Sequence, residues 1–169
     1  MEYQESLDAL AQRVGSALKA RGLLLATAES CTGGLVSAAI TGVAGSSDWF
    51  ERGFVTYSNA AKHSMLGVPT ELIAQHGAVS EAVARAMAEG ALAQSLAQVA
   101  LSITGVAGPG GGSADKPVGT VWHGFAVQHS DGSVHTQCVL QHYAGDRAAV
   151  REQAVRFALA TLCASTLEV

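Results

Sequence analysis

Charged residues are scarce in this sequence, at 14% of 169 residues, whereas an average protein contains about a quarter. The ten lysines and arginines form no basic run, which argues against a nucleic-acid groove. The chain also lacks an uncharged apolar run of about 18 residues, which argues against a membrane span. Its hydrophobic content of 49% is too high for intrinsic disorder. The composition therefore predicts a soluble globular domain whose partners are neither nucleic acid nor membrane.

Cysteine is sparse too, and Cys31, Cys138 and Cys163 form no CxxC pair and no metal-ligand spacing. An odd, small number of cysteines fits a reducing compartment, so we expect a cytoplasmic protein. The charged residues before Leu23 are not those of a signal peptide. The six histidines form no metal-ligand pair, and we expect no metal or other cofactor. Low surface charge on a lone domain favours a homo-oligomer.

Glycine, by contrast, is abundant, at 19 of 169 residues, and short apolar runs alternate with helical periodicity. The apolar runs predict five strands, the last two forming a hairpin: 23–28, 54–57, 99–103, 118–128 and 133–142. Periodicity and capping residues predict helices at about 7–21, 35–40, 60–67, 81–96 and 147–161, with caps at Asn59, Ser80 and Asp146. This order predicts one domain, 1–169, with an α/β fold: a three-layer α/β/α sandwich around a mixed, mainly parallel sheet.

The strongest local signal is AESCTGG at 28–34, where the first strand joins the second helix. The free amides of a helix start favour negative charge, either a bound phosphate or the oxyanion formed when a hydroxyl such as Ser30 attacks a carbonyl. Ser30 or Thr32 can equally cap the helix. Cys31 is a second candidate nucleophile, although small buried cysteines are common. No Gly-x-Ser-x-Gly elbow surrounds Ser30, so this segment does not identify its base.

Lysine is a candidate base, and the chain contains three: Lys19, Lys62 and Lys116. Lys62 follows a predicted strand end, the region where sites of α/β folds gather. A lysine acts as a base when burial or positive neighbours lower its pKa, whereas a lysine on a solvated helix surface does not. Tyr57, at the strand end, is either a packed aromatic residue or a proton relay.

A glycine-rich segment at 104–113 follows the buried strand at 99–103. Its glycines either let backbone amides approach an anion or a flat ring, or form a flexible surface loop. It has neither the Gly-Lys-Ser/Thr ending of a Walker loop nor a dinucleotide-binding fingerprint. Arg147 stands at a predicted helix start, where it either binds a phosphate through its guanidinium or is simply exposed.

Several segments, taken in order, resemble the CinA C-terminal domain family, which includes nicotinamide mononucleotide deamidases. The matching segments cover nearly the whole chain after the first helix: AESCTGG at 28–34, GSS at 45–47, YSNAAK at 57–62, GAVSE at 77–81, TGVAGPGGG at 104–112, KPVGTV at 116–121 and GDR at 145–147. Some members of the family carry a large N-terminal domain, and we expect this chain to be the stand-alone enzyme form.

The resemblance implies hydrolysis of the carboxamide of nicotinamide mononucleotide to nicotinic acid mononucleotide and ammonia, in pyridine-nucleotide salvage. It implies that Ser30 is the nucleophile, Lys62 the general base and Tyr57 a relay or positioning group, without a metal or redox cofactor. Arg147 is implied as a phosphate or ribose contact. The other implied binding residues are two in the pocket wall, Thr104 and Gly105, and the backbone around the oxyanion, Cys31, Thr32, Gly33 and Gly34.

Glu29 conflicts with this mechanism if it lies beside the base. A neighbouring carboxylate would raise the pKa of Lys62 and keep the amine protonated. A Ser-Lys mechanism therefore predicts that Glu29 points away from Lys62 or accepts hydrogen bonds from the backbone.

Two other functions use the same residues. A non-catalytic nucleotide-binding module would bind the nucleotide through the glycine loops and release no product. A Cys31-dependent amidase would lose its activity without Cys31 and keep it without Ser30.

Overall fold

A computed structural model describes residues 4–164 and alternates helices with strands, as the sequence predicts. The helices are α1 Leu7–Arg21, α2 Leu35–Thr41, α3 Asn59–Leu66, α4 Thr70–His76, α5 Glu81–Ala93 and α6 Arg147–Ala164. The strands are β1 Leu25–Glu29, β2 Phe50–Val55, β3 Val99–Gly105, β4 Thr120–Gln128 and β5 Val134–His142. Within 4–164, no helix combines the length and the apolar composition of a bilayer span.

The five strands form one sheet in the order β2-β1-β3-β4-β5. β1 pairs in parallel with β2 and β3, whereas β3 with β4 and β4 with β5 are antiparallel. The sheet is mixed, as predicted, but parallel pairing does not dominate it, because two of the four pairings are antiparallel. The reason is that no helix lies between β3, β4 and β5, and parallel neighbours require a long crossover connection.

Helices cover both faces of the sheet, which confirms the predicted three layers. α1, α2 and α6 pack on one face against large side chains such as Leu25 and Phe125. α3, α4 and α5 pack on the other face, where the strands present small residues such as Ala26. Ser102 Oγ of β3 donates to the Ala84 carbonyl of α5 over 2.6 Å. Small side chains therefore let α5 approach the sheet closely.

The predicted helix caps are present, except that the cap of α3 lies one residue earlier than predicted. Ser80 and Asp146 accept hydrogen bonds from first-turn amides of α5 and α6. At α3 the cap is Ser58, whose Oγ accepts from the Ala61 amide at 3.0 Å, so the predicted cap Asn59 is the first helical residue. Serine and asparagine are equally good capping residues, and composition does not separate neighbours of these two types.

β2 ends earlier than predicted, at residue 55 rather than 57. It lies at the edge of the sheet, where one side of the strand faces solvent and the apolar pattern is weak. Beyond its end, the carbonyls of Thr56 and Tyr57 accept hydrogen bonds from Lys62 Nζ instead of from a strand. The chain after β2 is thereby folded over the carboxyl end of β1.

Candidate active site

The turn at 30–34 joins β1 to α2 and presents Ser30 at the carboxyl end of β1. The Ser30 amide donates to the Ile103 carbonyl of β3 (2.9 Å), and the Gly33 amide donates to the Ser30 carbonyl (3.0 Å). Gly33 and Gly34 have φ of 55° and 104°, in the left-handed region that glycine adopts without a steric penalty. The backbone of the turn therefore holds Ser30 in a defined position.

Glu29, the last residue of β1, occupies the start of α2. Its buried carboxylate accepts hydrogen bonds from the Val36 amide (2.8 Å), the Ser37 amide (3.2 Å) and the Ser37 hydroxyl (2.9 Å). This confirms the prediction that Glu29 accepts backbone hydrogen bonds. Because this carboxylate already accepts from the Val36 and Ser37 amides, these two amides of the helix start are not available to an external anion. Neither hydroxyl of the turn caps α2, whose N-cap is Gly34.

Lys62 of α3 points into the protein, and its Nζ lies 2.9 Å from Ser30 Oγ. Nζ also donates to the carbonyls of Thr56 (2.9 Å) and Tyr57 (3.1 Å). Lys62 is 1% exposed, and no carboxylate within residues 4–164 forms an ion pair with it. Burial lowers the pKa of Lys62 from its ordinary value, because the charged amine loses hydration without gaining a counter-ion. The fold thus places a lysine with a lowered pKa beside a serine hydroxyl.

Cys31 follows Ser30, but it belongs to the apolar core beneath α1, α2 and α6. Burial raises the pKa of Cys31 to about 11, so the thiol stays protonated at neutral pH. A protonated thiol is a poor nucleophile and adds no negative charge beside Lys62. Of the two neighbouring candidates, the environment therefore favours Ser30 as the nucleophile.

A pocket of about 270 Å³ opens over Ser30 and Lys62. Its lining includes five more of the predicted site residues: Cys31, Tyr57, Thr104, Gly105 and Arg147. Four further residues line it: Asn59, Ala78, Val79 and Ala107. No histidine is among the described residues of the lining, so Lys62 is the titratable base next to Ser30. The two predicted glycine-rich segments thus meet at one pocket.

Three predicted binding residues do not line this pocket: Thr32, Gly33 and Gly34. Thr32 is fully buried, and Gly33 is exposed. The Gly33 amide already donates to the Ser30 carbonyl, so it is unavailable for the predicted oxyanion. This amide is therefore hydrogen-bonded within the turn that positions Ser30.

Thr104 and Gly105 form one wall of the pocket at the end of β3. Thr104 Oγ1 donates to the Ala78 carbonyl over 2.8 Å, which ties β3 to the segment before α5. A Cβ on Gly105 would lie 2.7 Å from Val121 Cγ2 and 2.9 Å from the Thr120 carbonyl oxygen. Glycine is therefore required there for the strands to pair this closely.

Arg147, the first residue of α6, bridges two sides of the pocket mouth. Its Nη1 donates to the Gly108 carbonyl (2.8 Å) and its Nη2 to the Tyr57 hydroxyl (3.3 Å). Tyr57 is 63% exposed and contacts Lys62 through its backbone carbonyl. The Tyr57 hydroxyl is thus held at the mouth by Arg147.

A larger hollow of about 630 Å³ adjoins the pocket at Ala107 and Arg147. Its other walls come from the glycine-rich segment and from the start of α6: Pro109, Val118, Gly145, Asp146, Ala148 and Arg151. The two cavities together have a deep end at Ser30 and an open end beside α6. Their combined shape suits an elongated ligand.

The CinA C-terminal domain family matches residues 7–166 of this sequence. This chain belongs to that family. The nicotinamide-nucleotide amidohydrolase PncC of Escherichia coli (strain K12) is 58% identical to it over 153 residues, which cover 90% of each chain. Both the family resemblance and the α/β fold of the sequence prediction are confirmed.

Two solved structures share the fold over nearly their whole length. The competence/damage inducible protein CihA from Agrobacterium tumefaciens is 45% identical, with a TM-score of 0.87, covering 97% of this chain and 98% of that one. The competence damage-inducible protein A from Klebsiella pneumoniae subsp. pneumoniae MGH 78578 is 40% identical, with a TM-score of 0.89, covering 97% and 99%.

Sequence reasoning misses Arg151 of α6, which contacts the Ser30 turn. Its Nε donates to the Cys31 carbonyl (3.1 Å) and its Nη2 to the Thr32 carbonyl (3.4 Å). The available signal was its spacing from Arg147, because residues four apart lie on the same face of a helix. Asn59, which the sequence predicts only as a helix cap, also lines the pocket.

Proposed function

We propose that this chain is a Ser-Lys amidohydrolase that converts nicotinamide mononucleotide and water into nicotinic acid mononucleotide and ammonia, a reaction of pyridine-nucleotide salvage. The observation that carries the mechanism is the buried Lys62 Nζ, 2.9 Å from Ser30 Oγ. The substrate class is supported by relatives named nicotinamide-nucleotide amidohydrolase, which are 56–58% identical over 90–94% of the chain. In this proposal residues 1–169 form one amidohydrolase domain.

The neighbours of Lys62 Nζ orient the lone pair of the neutral amine, the form that burial favours. Two neighbours are the carbonyl oxygens of Thr56 and Tyr57, which accept hydrogen bonds but cannot donate them, so each takes one N–H of the amine. The lone pair of the neutral amine is then directed at the third neighbour, the Ser30 hydroxyl. Ser30 can donate its proton to Nζ at the observed distance without rearrangement.

The first chemical step makes the acyl-enzyme bond. Ser30 Oγ passes its proton to Lys62 Nζ and attacks the carboxamide carbon, and the carbonyl electron pair moves onto oxygen. A backbone amide of the turn stabilises this oxyanion. The Gly33 amide is already bonded, and Thr32 and Gly34 do not line the pocket, so the donor in this proposal is the Cys31 amide.

The second half of the reaction releases the products. The Lys62 ammonium gives its proton to the amide nitrogen, the C–N bond breaks, and ammonia leaves. A water molecule then loses a proton to neutral Nζ and attacks the ester carbon. Ser30 Oγ recovers that proton as the ester bond breaks and nicotinic acid mononucleotide departs. One water is consumed for each ammonia released, and the enzyme returns to its starting state.

The two cavities suggest how the nucleotide lies. The pyridine carboxamide occupies the deep pocket, and the ribose and phosphate extend past Arg147 into the larger hollow. A guanidinium at this position suits a phosphate or ribose contact. Because Arg147 holds the Tyr57 hydroxyl at the mouth, we assign Tyr57 to positioning the substrate rather than to proton transfer.

Ammonia release from nicotinamide mononucleotide tests this function. We expect release by the wild type and by Cys31→Ala, and none above background by Ser30→Ala, with circular dichroism confirming that both variants are folded. Full activity in Ser30→Ala contradicts the mechanism. A rise in melting temperature on adding the nucleotide, with no product formed, would instead identify a non-catalytic binding module.

The low charge also leads us to propose a cytoplasmic homo-oligomer that binds neither nucleic acid nor membrane. Exposed apolar side chains such as Leu96 (70% exposed) and Val134 (46% exposed) offer surface for association. Light scattering coupled to size-exclusion chromatography should give a multiple of the chain mass, and a monomer at all concentrations contradicts this expectation.

A further inference from the structure

Arg151 of α6 forms hydrogen bonds with the turn that follows Ser30. Its guanidinium donates to the Cys31 carbonyl over 3.1 Å and to the Thr32 carbonyl over 3.4 Å. Among the side chains of residues 4–164, only that of Arg151 donates hydrogen bonds to carbonyls of this turn. The guanidinium thus contacts two successive peptide groups, between residues 31 and 32 and between residues 32 and 33, which begin one residue after the proposed nucleophile.

In a trans peptide group, the C=O and the N–H point in opposite directions. Cys31 and Thr32 are joined by a trans peptide, so the Thr32 amide points away from Arg151 when the Cys31 carbonyl points toward it. Within the described part of the chain, the Thr32 amide has no acceptor and Thr32 Oγ1 has no partner, although Thr32 is fully buried. Within residues 4–164, Arg151 is therefore the one hydrogen-bond partner of the peptide group between residues 31 and 32.

We infer that Arg151 is a positioning residue, which holds the Cys31 and Thr32 carbonyls so that the turn keeps Ser30 Oγ and the Cys31 amide in place for the oxyanion as it forms. This inference rests on the proposed Ser-Lys function. A donor that acts on charge present only in the transition state raises kcat and leaves substrate binding unchanged. Losing Arg151 leaves the peptide group between residues 31 and 32 without a hydrogen bond, whereas the next group keeps its bonds to Ser30 and from Leu35. The turn then holds Ser30 less firmly, and the loss should appear in kcat.

A different role for Arg151 predicts different kinetics. Arg151 also lines the larger hollow, where it could contact the phosphate of the nucleotide directly. A direct contact would stabilise the bound substrate as well as the transition state, and its removal would raise KM. The division of the effect between kcat and KM separates the two roles.

The test compares wild type, Arg151→Ala and Arg151→Lys in ammonia release from nicotinamide mononucleotide. We expect kcat of Arg151→Ala to fall by about 10- to 100-fold, with KM within about twofold of wild type. Arg151→Lys should recover part of the loss, since an ammonium can still donate to one carbonyl. Free guanidinium at non-denaturing concentration should raise the activity of Arg151→Ala and leave that of wild type unchanged.

Arg156→Ala is the matched control in the same helix. Arg156 donates to the Glu5 carbonyl (2.7 Å) and pairs with Glu152 (3.1 Å), and its loss should leave kcat unchanged. The inference is overturned if Arg151→Ala keeps the wild-type kcat, if only KM rises, or if the loss equals the loss of folded protein seen by circular dichroism. In each of these outcomes the wild type is active and the proposed function stands. A wild type that releases no ammonia overturns both.

Discussion

Replacing Lys62 by methionine removes the proposed base and keeps a side chain of similar length. The amine it removes contacts Ser30 Oγ at 2.9 Å, the distance at which a proton can be transferred directly. A positioned general base contributes about 10²–10⁴-fold to rate. This range corresponds to about 3–5 kcal/mol of transition-state stabilisation, at about 1.4 kcal/mol per tenfold. We therefore expect kcat of Lys62→Met to fall by at least about 100-fold.

The same substitution has opposing effects on stability. It leaves the buried Thr56 carbonyl without its Nζ donor, which costs about 1–3 kcal/mol. It also removes an amine whose charged form is unfavourable in the core. Methionine fills most of the space that the lysine stem occupied, so we expect a folded variant whose melting temperature is close to that of the wild type.

The lowered pKa of Lys62 also makes the stability of the wild type depend on pH. Between this lowered pKa and about 10.4, the value of a free lysine, the unfolded chain binds the proton and the folded protein does not. The free energy of unfolding should therefore rise with pH across this window. Lys62→Met should lack this part of the rise, which urea denaturation at several pH values will measure.

Ammonia release measured from about pH 6 to about pH 10 completes the test, because only the neutral amine accepts the Ser30 proton. Wild-type activity should increase as pH rises through the lowered pKa of Lys62. Lys19→Met is the matched control: Lys19 is exposed and pairs with Asp48 at 2.9 Å, so its loss should leave the profile unchanged. An unchanged kcat in Lys62→Met, or a wild-type rate that falls steadily with rising pH, would refute the reasoning.

Two further substitutions test the surroundings of the site. The Glu29 carboxylate accepts three hydrogen bonds at the start of α2, and Glu29→Gln leaves a single acceptor oxygen there. Urea denaturation should therefore show a decrease of about 1–3 kcal/mol in the free energy of unfolding. Unchanged stability would contradict the role assigned to Glu29. Arg147→Ala should raise KM for nicotinamide mononucleotide by about tenfold with a smaller change in kcat, because it removes a contact to bound substrate. Nicotinamide riboside, which lacks the phosphate, should then show equal KM with both proteins, and a rise for it as well would assign Arg147 to the ribose.

Much of the secondary structure and part of the site could be predicted because their signals are local. Apolar periodicity, the Gly22 end of α1 and the Ser80 cap of α5 depend on residues a few positions apart. The hairpin of β4 and β5 is similarly marked by its turn. The balance of parallel and antiparallel pairing was not predictable in this way, since it depends on which strands become neighbours.

The contacts of Arg151 were beyond sequence reasoning for the same physical reason. Arg151 and the Cys31 carbonyl that it binds are 120 residues apart, and their meeting depends on how α6 packs across the sheet. Ser58 replaced the predicted cap Asn59 because the exact entry of the chain into α3 is set by the end of β2. Both outcomes come from packing between elements.

The sequence by itself determined the family, the alternation of helices and strands, and the candidates Ser30 and Lys62, because these depend on motifs and on local periodicity. Only the tertiary structure decided that the two side chains meet, since they are 32 residues apart and belong to different elements. It also decided the electrostatics: Glu29 and Ser30 are consecutive, yet one contacts α2 and the other Lys62 of α3. The lowered pKa of Lys62 arises from burial, and burial is a property of the packed fold.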